Sequence, residues 1–245
     1  MLMAQHLYEG IDVEGEGHIA FVTYIRTDST RVSDEAQKAA REFIAEKYGA
    51  EYCPARPNVY ASKKGAQDAH EAIRPIDLSR TPESVKKLLD RKHYNVYKLI
   101  YERFIASQMA EAQYNAVQME IANGDYMLKA SGKTLKFAGY TAVYQESKKE
   151  DEEESPAKLL PDLKEGDALA CKDGAKGEQK FTKPPVRYTD ASLVKAMEDK
   201  GIGRPSTYAS IISVLNKRKY IEKDGKYMVP TPVAFRITDL LVKYF

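Results

Sequence analysis

Residues 18–49 read HIAFVTYIRTDSTRVSDEAQKAAREFIAEKYG, and two structural patterns meet inside them. The first eight, HIAFVTYI, are rich in β-branched and aromatic side chains. They follow the acidic, Gly-rich loop IDVEGEG at 11–17 and predict a strand. The next segment predicts a helix from about residue 34 to 48. Ser33 stands as N-cap, Asp34 and Glu35 occupy the first turn, and Gly49 is the stop. If the strand continues through residue 28, Tyr24, Arg26 and Asp28 project from one face, because side chains alternate with a period of two. A guanidinium favours a phenolate, holds a phosphate by two hydrogen bonds and offsets charge in a pentacoordinate transition state. Tyrosine is also a covalent nucleophile. On residue types alone, a half-buried strand aromatic beside a surface Arg–Asp pair is the plainer reading of the same residues.

Working outward, MLMAQHLYE at 1–9 reads as the end of a helix, as though the chain began inside a longer one. After a loop with Pro54 and Pro57, the segment AQDAHEAIRP at 66–75 predicts a short helix that Pro75 ends. There His70 and Arg74, four apart, would share a face fit for a phosphate, with Lys63 and Lys64 upstream. A capping histidine and a surface arginine are the plainer reading of that pair. Thr81 and Pro82 open another helix at TPESVKKLLD. From Tyr94 to about Tyr114 the pattern is amphipathic, with Leu99, Ile100, Phe104 and Met109 recurring.

After Asn115 the texture becomes β. Residues 117–145 predict a meander with turns at Asn123-Gly124-Asp125 and Ser131-Gly132-Lys133, and residues 160–174 a further strand. KKEDEEESPAK at 148–158 reads as a solvated loop. Helical signals return near residue 189. Thr189 caps a helix over about 191–200 that Gly201 stops, and a second helix runs from about Ser206 to Lys219. The hairpin KYIEKDGKYMVP at 219–230 then completes the order of a winged-helix module. Arg204, Ser206 and Thr207 sit at the N-terminus of the second helix, a favourable anion position, and Arg218 lies among three cations at its other end. A well-capped helix with cations complementing its C-terminal dipole is the alternative.

The 245 residues carry a net charge of +2, which excludes a histone-like polycation. The balance hides a gradient: residues 1–110 are neutral, 111–180 carry −4 and 181–245 carry +6. The basic C-terminal third is the electrostatic candidate for a polyanion. No apolar run approaches 18 residues, and Cys53 and Cys171 lack CxxC spacing. These features predict a soluble, cytoplasmic protein without a membrane, zinc or disulfide framework.

Three stretches together resemble the type IA DNA topoisomerases in their bacterial form: TYIRTDSTRVSDEA at 23–36, GAQDAHEAIRP at 65–75 and FTKPPVRYTDASLVKAMEDKGIGRPSTYASII at 181–212. They occur in the family's order. The resemblance implies that Tyr24 attacks a single strand and becomes linked to the 5′ phosphate, with Arg26 as its phosphate-binding partner. Another strand then passes the break before the 3′ hydroxyl reseals it, relaxing negatively supercoiled DNA. Asp28, His70, Arg74, Arg204, Ser206, Thr207 and Arg218 are the implied DNA contacts. The implied α+β architecture has three parts: a helical domain with Tyr24 (1–110), a β-rich arch or hinge (111–180), and part of a winged-helix-like domain gripping single-stranded DNA (181–245). The family's acidic Mg²⁺-binding N-terminal domain has no counterpart here, so a fragment of a longer enzyme, without full activity alone and with no metal ligands of its own, is implied. A monomer in the cytoplasm, associated with the nucleoid, is expected. Departures are Ile76, where a hydroxyl residue is usual, and PVAF at 232–235, where Glu-Leu-Gly is usual. The competing readings are a non-catalytic winged-helix DNA-binding module and a tyrosine recombinase. The recombinase needs its tyrosine near the C-terminus, and Tyr24 is at the other end.

Overall fold

The computed structural model describes residues 1–60, 70–145, 160, 163–170, 174, 177–179, 181–182 and 184–245. Lys63, Lys64, residues 65–69 of the second motif, the acidic run 148–158 and Cys171 lie outside the described residues. The chain divides into two units, Met1–Ala168 and Leu169–Phe245.

In the first unit, α1 (Leu2–Glu9) leads into a small hairpin of β1 (Ile11–Val13) and β2 (Gly17–Ile19). Helix α2 (Asp34–Tyr48) has the boundaries and the cap that its sequence predicts, with Ser33 accepting from the Ala36 N–H. Thr81 likewise caps the short α3 (Pro82–Val85). Asp90 caps the long α4 (Arg91–Gln108) by accepting from the N–H groups of Lys92 and His93. Leu7, Phe21, Val22, Ile44, Tyr97 and Ile105 are all essentially excluded from water and form the centre of the core between α1, α2 and α4. The Tyr97 and Tyr101 hydroxyls donate to the carbonyls of Arg80 and Leu78 at 2.6 and 2.7 Å, tying the 78–80 turn to α4. An ion pair from Arg80 to Glu16, at 2.6 Å, fastens that turn to the β1–β2 loop.

Several expectations need correction. The strand predicted over 18–25 ends at Ile19, because its partner β1 is only three residues long. Beyond it, the N–H groups of Phe21 and Val22 turn to the carbonyl of Leu7 at the end of α1. Residues 70–74 are not helical, since the backbone groups of Ala72 and Arg74 are bonded to residues 23 and 31. Helix α4 stops at Gln108 instead of running to 114, because Met109 turns extended and the chain enters β3 at Gln113. Its buried face is Tyr97, Tyr101, Phe104 and Ile105, whereas Leu99 is exposed. The meander is one long antiparallel hairpin, β3 (Gln113–Asn123) with β4 (Tyr126–Phe137), turning at Gly124. Gly132 pairs with Val117 in mid-ladder, so no second turn forms there. The described residues between 160 and 174 contain no strand.

The second unit contains α5 (Asp190–Asp199), α6 (Tyr208–Lys217), the hairpin β5 (Ile221–Asp224) with β6 (Tyr227–Pro230), and α7 (Pro232–Tyr244). Thr189 and Ser192 form a capping box that starts α5. Lys223 of the hairpin pairs with Asp190 at 2.5 Å, and the Met228 N–H bonds to the Tyr188 carbonyl, holding the hairpin against the entry to α5. Thr231 caps α7, a helix that the sequence reading did not anticipate, with Pro232 at its first position. Within the described residues the architecture is therefore helical with three small antiparallel sheets.

Candidate active site and nucleic-acid interface

Residues 24–30 form a loop whose two ends are fastened to the same short segment. At one end the Thr23 N–H bonds to the Arg74 carbonyl at 2.9 Å, while the Thr23 hydroxyl accepts from the Arg74 N–H at 3.0 Å and donates to the Ala72 carbonyl at 3.2 Å. At the other end the Ala72 N–H bonds to the Arg31 carbonyl at 2.8 Å. Val22 bridges Pro75, and the Ile76 N–H reaches the Phe21 carbonyl, which extends the pairing by one more step. Inside the loop Ile25 and Ser29 are buried. The Thr27 hydroxyl accepts from the Ser29 N–H and the Ser29 hydroxyl from the Arg31 N–H, so the turns of the loop are closed by its own side chains. The first and second sequence motifs are thus one structural unit, joined through the backbone.

This pinch sets Tyr24 against His70. Their ring centroids lie 5.3 Å apart with planes at 56°, and on Tyr24 a second ring, that of Tyr8 in α1, makes an edge contact at 5.4 Å and 70°. Tyr24 nevertheless remains 41% exposed, so an aromatic held by two neighbours still meets solvent. Arg26 is exposed and Asp28 half-buried, and among the described residues neither side chain makes an ion pair or hydrogen bond. The loop is not a strand, so the shared face anticipated for Tyr24, Arg26 and Asp28 does not arise from a pleat.

Arg74 is placed differently. Its side chain is only 19% exposed, its Nε and Nη2 both lie 3.2 Å from Glu71 Oε2, and its Nη1 donates to the Pro75 carbonyl. Arg31 reaches the other Glu71 oxygen at 3.8 Å. Glu71, flanked by two arginines, is a residue the sequence reading passed over. Thr23 and Tyr8 are two more. Thr23 carried no signal beyond standing before Tyr24, and Tyr8 is far away along the chain. A cleft of about 470 Å³ lies between α2 and residues 74–79, bounded by Thr23, Glu35, Arg74 and Ser79 among others, with neither Tyr24 nor His70 on its wall.

In the second unit, the turn between α5 and α6 is shaped by two glycines at positive φ, Gly201 at 69° and Gly203 at 77°. A Cβ on Gly203 would come within 3.0 Å of the Ile211 side chain and 3.1 Å of the Thr207 hydroxyl. Thr207 accepts from the Arg204 N–H at 2.9 Å and donates to the Arg204 carbonyl at 3.1 Å. Its hydroxyl is therefore engaged in closing the turn and does not cap α6. Arg204 and Ser206 are exposed, and the Arg204 guanidinium donates to the Gly203 carbonyl. Arg218 is exposed at the C-cap of α6, and the following Lys219 takes a positive φ of 56° to turn the chain into the β5–β6 hairpin.

Among the described residues no cluster of three or more His, Cys, Asp or Glu could hold a metal ion, and no helix is long and apolar enough to cross a membrane. Among the described residues, then, none forms a ligand cluster for the Mg²⁺ that the sequence resemblance implies.

A family model described as DNA topoisomerase matches residues 1–245. The structure is also similar to that of full-length topoisomerase I from Thermotoga maritima, solved in a monoclinic crystal form. The TM-score is 0.78 at 39% sequence identity, and the match covers 99% of this chain and 38% of that one.

Proposed function

Since the chain belongs to the type IA DNA topoisomerase family, we propose that it carries the strand-cutting tyrosine and part of the single-strand grip of such an enzyme. Tyr24 Oη attacks a backbone phosphorus. The Tyr–O–P bond forms as the bond from phosphorus to the 3′ oxygen breaks, the phenol proton leaves, and the 3′ oxygen departs as a hydroxyl. The intermediate is a 5′-phosphotyrosine, and reversal of the same step reseals the strand once another has passed, relaxing negative supercoils. Arg26, exposed two residues after Tyr24 in the loop and without an ion pair among the described residues, offsets charge on the phosphoryl group, and His70 sets the phenol's orientation and contacts the strand. Arg204, Ser206 and Arg218 present solvent-facing groups to the DNA backbone. Single-stranded DNA is the partner.

The observation that carries this reading is the loop 24–30, fastened at both ends to residues 72–74 so that Tyr24 lies against His70 yet stays open to solvent. Because the chain spans 38% of the Thermotoga maritima chain, the complete cycle is proposed for a longer polypeptide, in which Mg²⁺ assists, and the 245 residues alone are taken to be insufficient for it. The test is a chimera in which this chain replaces the matched segment of that enzyme, incubated with a labelled single-stranded oligonucleotide. A covalent protein–DNA adduct should form and should be absent from Tyr24→Phe. An adduct that persists in Tyr24→Phe would place the nucleophile elsewhere and favour a DNA-binding role for this loop.

A further inference from the structure

We propose that Tyr8 is a positioning residue for Tyr24, an inference that rests on the assignment of Tyr24 as nucleophile. The backbone before Tyr24 is fixed, and the ring is not fixed by the same means. Phe21 and Val22 hang from the Leu7 carbonyl, at 2.8 and 3.3 Å, and Thr23 is clamped by Ala72 and Arg74. Residue 24 itself has no strand partner, so no ladder neighbour restricts its χ1 and χ2. A phenol oxygen lies several ångströms from its Cα, and a change of rotamer moves it much farther than the roughly 0.5 Å that catalytic placement tolerates.

Two rings supply the missing restraint. His70 lies at 5.3 Å, and Tyr8 presents an edge contact at 5.4 Å with planes near perpendicular. Tyr8 and the Tyr24 backbone share one reference point, because Tyr8 directly follows the Leu7 whose carbonyl holds residues 21 and 22. Leu7 is fully buried, and α1 is fastened to α4 by a hydrogen bond between His6 Nδ1 and His93 Nε2 at 3.0 Å. His93 is itself held by Asp90 at 2.6 Å. Displacement of the Tyr8 backbone relative to Tyr24 would therefore require movement of α1, which is anchored through the buried Leu7. The Tyr8 hydroxyl makes no hydrogen bond among the described residues, so the ring edge alone does the positioning.

An edge-to-face aromatic pair contributes enough for its loss to slow the step that needs this rotamer by about three- to tenfold. The test uses this 245-residue chain with labelled tyrosines, the Tyr24 ring resonances assigned by their absence in Tyr24→Phe. Tyr8→Leu should shift those resonances and weaken the Tyr24–His70 cross-relaxation while leaving single-strand affinity within about twofold. Tyr8→Phe should restore the wild-type signature, which a general packing role for the hydroxyl would not allow. If Tyr8→Leu perturbs amides throughout α2 and α4, Tyr8→Met, which keeps the apolar bulk, replaces it. In the chimera the rate of adduct formation should fall about three- to tenfold in Tyr8→Leu and recover in Tyr8→Phe. Unmoved Tyr24 resonances in both Tyr8→Leu and Tyr8→Met would overturn the positioning role, whatever the chimera does. Adduct formation surviving in Tyr24→Phe would instead overturn the nucleophile assignment.

Discussion

Replacing Thr23 by valine removes one oxygen from the clamp behind Tyr24 and changes almost nothing else in shape. The lost hydroxyl accepts from the Arg74 N–H at 3.0 Å and donates to the Ala72 carbonyl at 3.2 Å. Each such bond contributes about 0.5–1.5 kcal/mol net, and an amide left without its partner costs a similar amount again, so Thr23→Val should lose about 1–3 kcal/mol. Thr23→Ser is the matched control. It keeps both bonds and removes one methyl from a half-buried site, at a cost of about 0.5 kcal/mol. Amide hydrogen exchange on the intact chain reads the effect locally, at the Arg74 N–H. Its protection should fall about five- to hundredfold in Thr23→Val, since about 1.4 kcal/mol corresponds to tenfold, and by much less in Thr23→Ser. Far-UV circular dichroism in urea would report the loss for the unit as a whole. The reasoning fails if Arg74 keeps its protection within twofold in Thr23→Val, or if serine proves as damaging as valine. Either result would mean that the segment 72–76 is held against the loop by packing, with the hydroxyl incidental.

Further outcomes follow from other contacts. Tyr97→Phe should destabilise the first unit by about 1 kcal/mol in urea unfolding, through loss of the hydroxyl bond to the Arg80 carbonyl; Tyr101→Phe should behave similarly, and the double variant should cost less than the sum because both hold one turn. Burial raises the phenol pKa of both tyrosines above the ordinary value of 10.0, so the folded state keeps protons that the unfolded state releases; stability should be full below pH 10 and fall as pH rises beyond it, and Tyr97→Phe should blunt that decline. Gly203→Ala places a Cβ at φ 77° within 3.0 Å of Ile211 and should cost about 1–2 kcal/mol or more in the second unit, measured by thermal or urea unfolding. Arg218→Ala should weaken single-strand binding and reduce the salt slope by about one phosphate contact, whereas an unchanged slope would confine Arg218 to ending α6.

Local rules made the capped helices legible. Ser33, Thr81 and Thr189 each place a side-chain oxygen on an N–H group two or three residues into its helix, a short-range event that a sequence displays directly. The β5–β6 hairpin was equally visible from Asp224-Gly225. What failed were the readings that needed a distant partner. HIAFVTYI has the composition of a strand, yet Phe21, Val22 and Ile25 enter the core with a spacing that is not alternation, because the Leu7 carbonyl takes the place of a neighbouring strand. AQDAHEAIRP has helix-forming residues, but the backbone groups of Ala72 and Arg74 that a helix would use internally are bonded to residues 23 and 31. The motifs name Tyr24 and His70 separately, while the geometry that brings the two rings together, through Thr23, Arg31 and Tyr8, follows from contacts between residues far apart in the chain.

The arginines of the candidate site fall into two kinds, and the distinction decides which of them can act on DNA. A cation contributes to binding a polyanion by releasing counterions, and a guanidinium already neutralised by a carboxylate has little left to contribute. Arg74 is mostly covered, holds one Glu71 oxygen through two of its nitrogens, and gives a third to a backbone carbonyl. Recruiting it to a phosphate would strand Glu71, with only the 3.8 Å contact to Arg31 left. The cost of leaving one partner of a covered pair unmatched exceeds what an exposed phosphate contact returns. Arg26 and Arg218 bear no such commitment: both are exposed, without an ion pair among the described residues. The EAIRP motif therefore serves the first unit in two ways. Its backbone clamps the loop that carries Tyr24, and its Glu71–Arg74 pair stiffens that clamp, so the proposed handling of phosphate charge rests on Arg26.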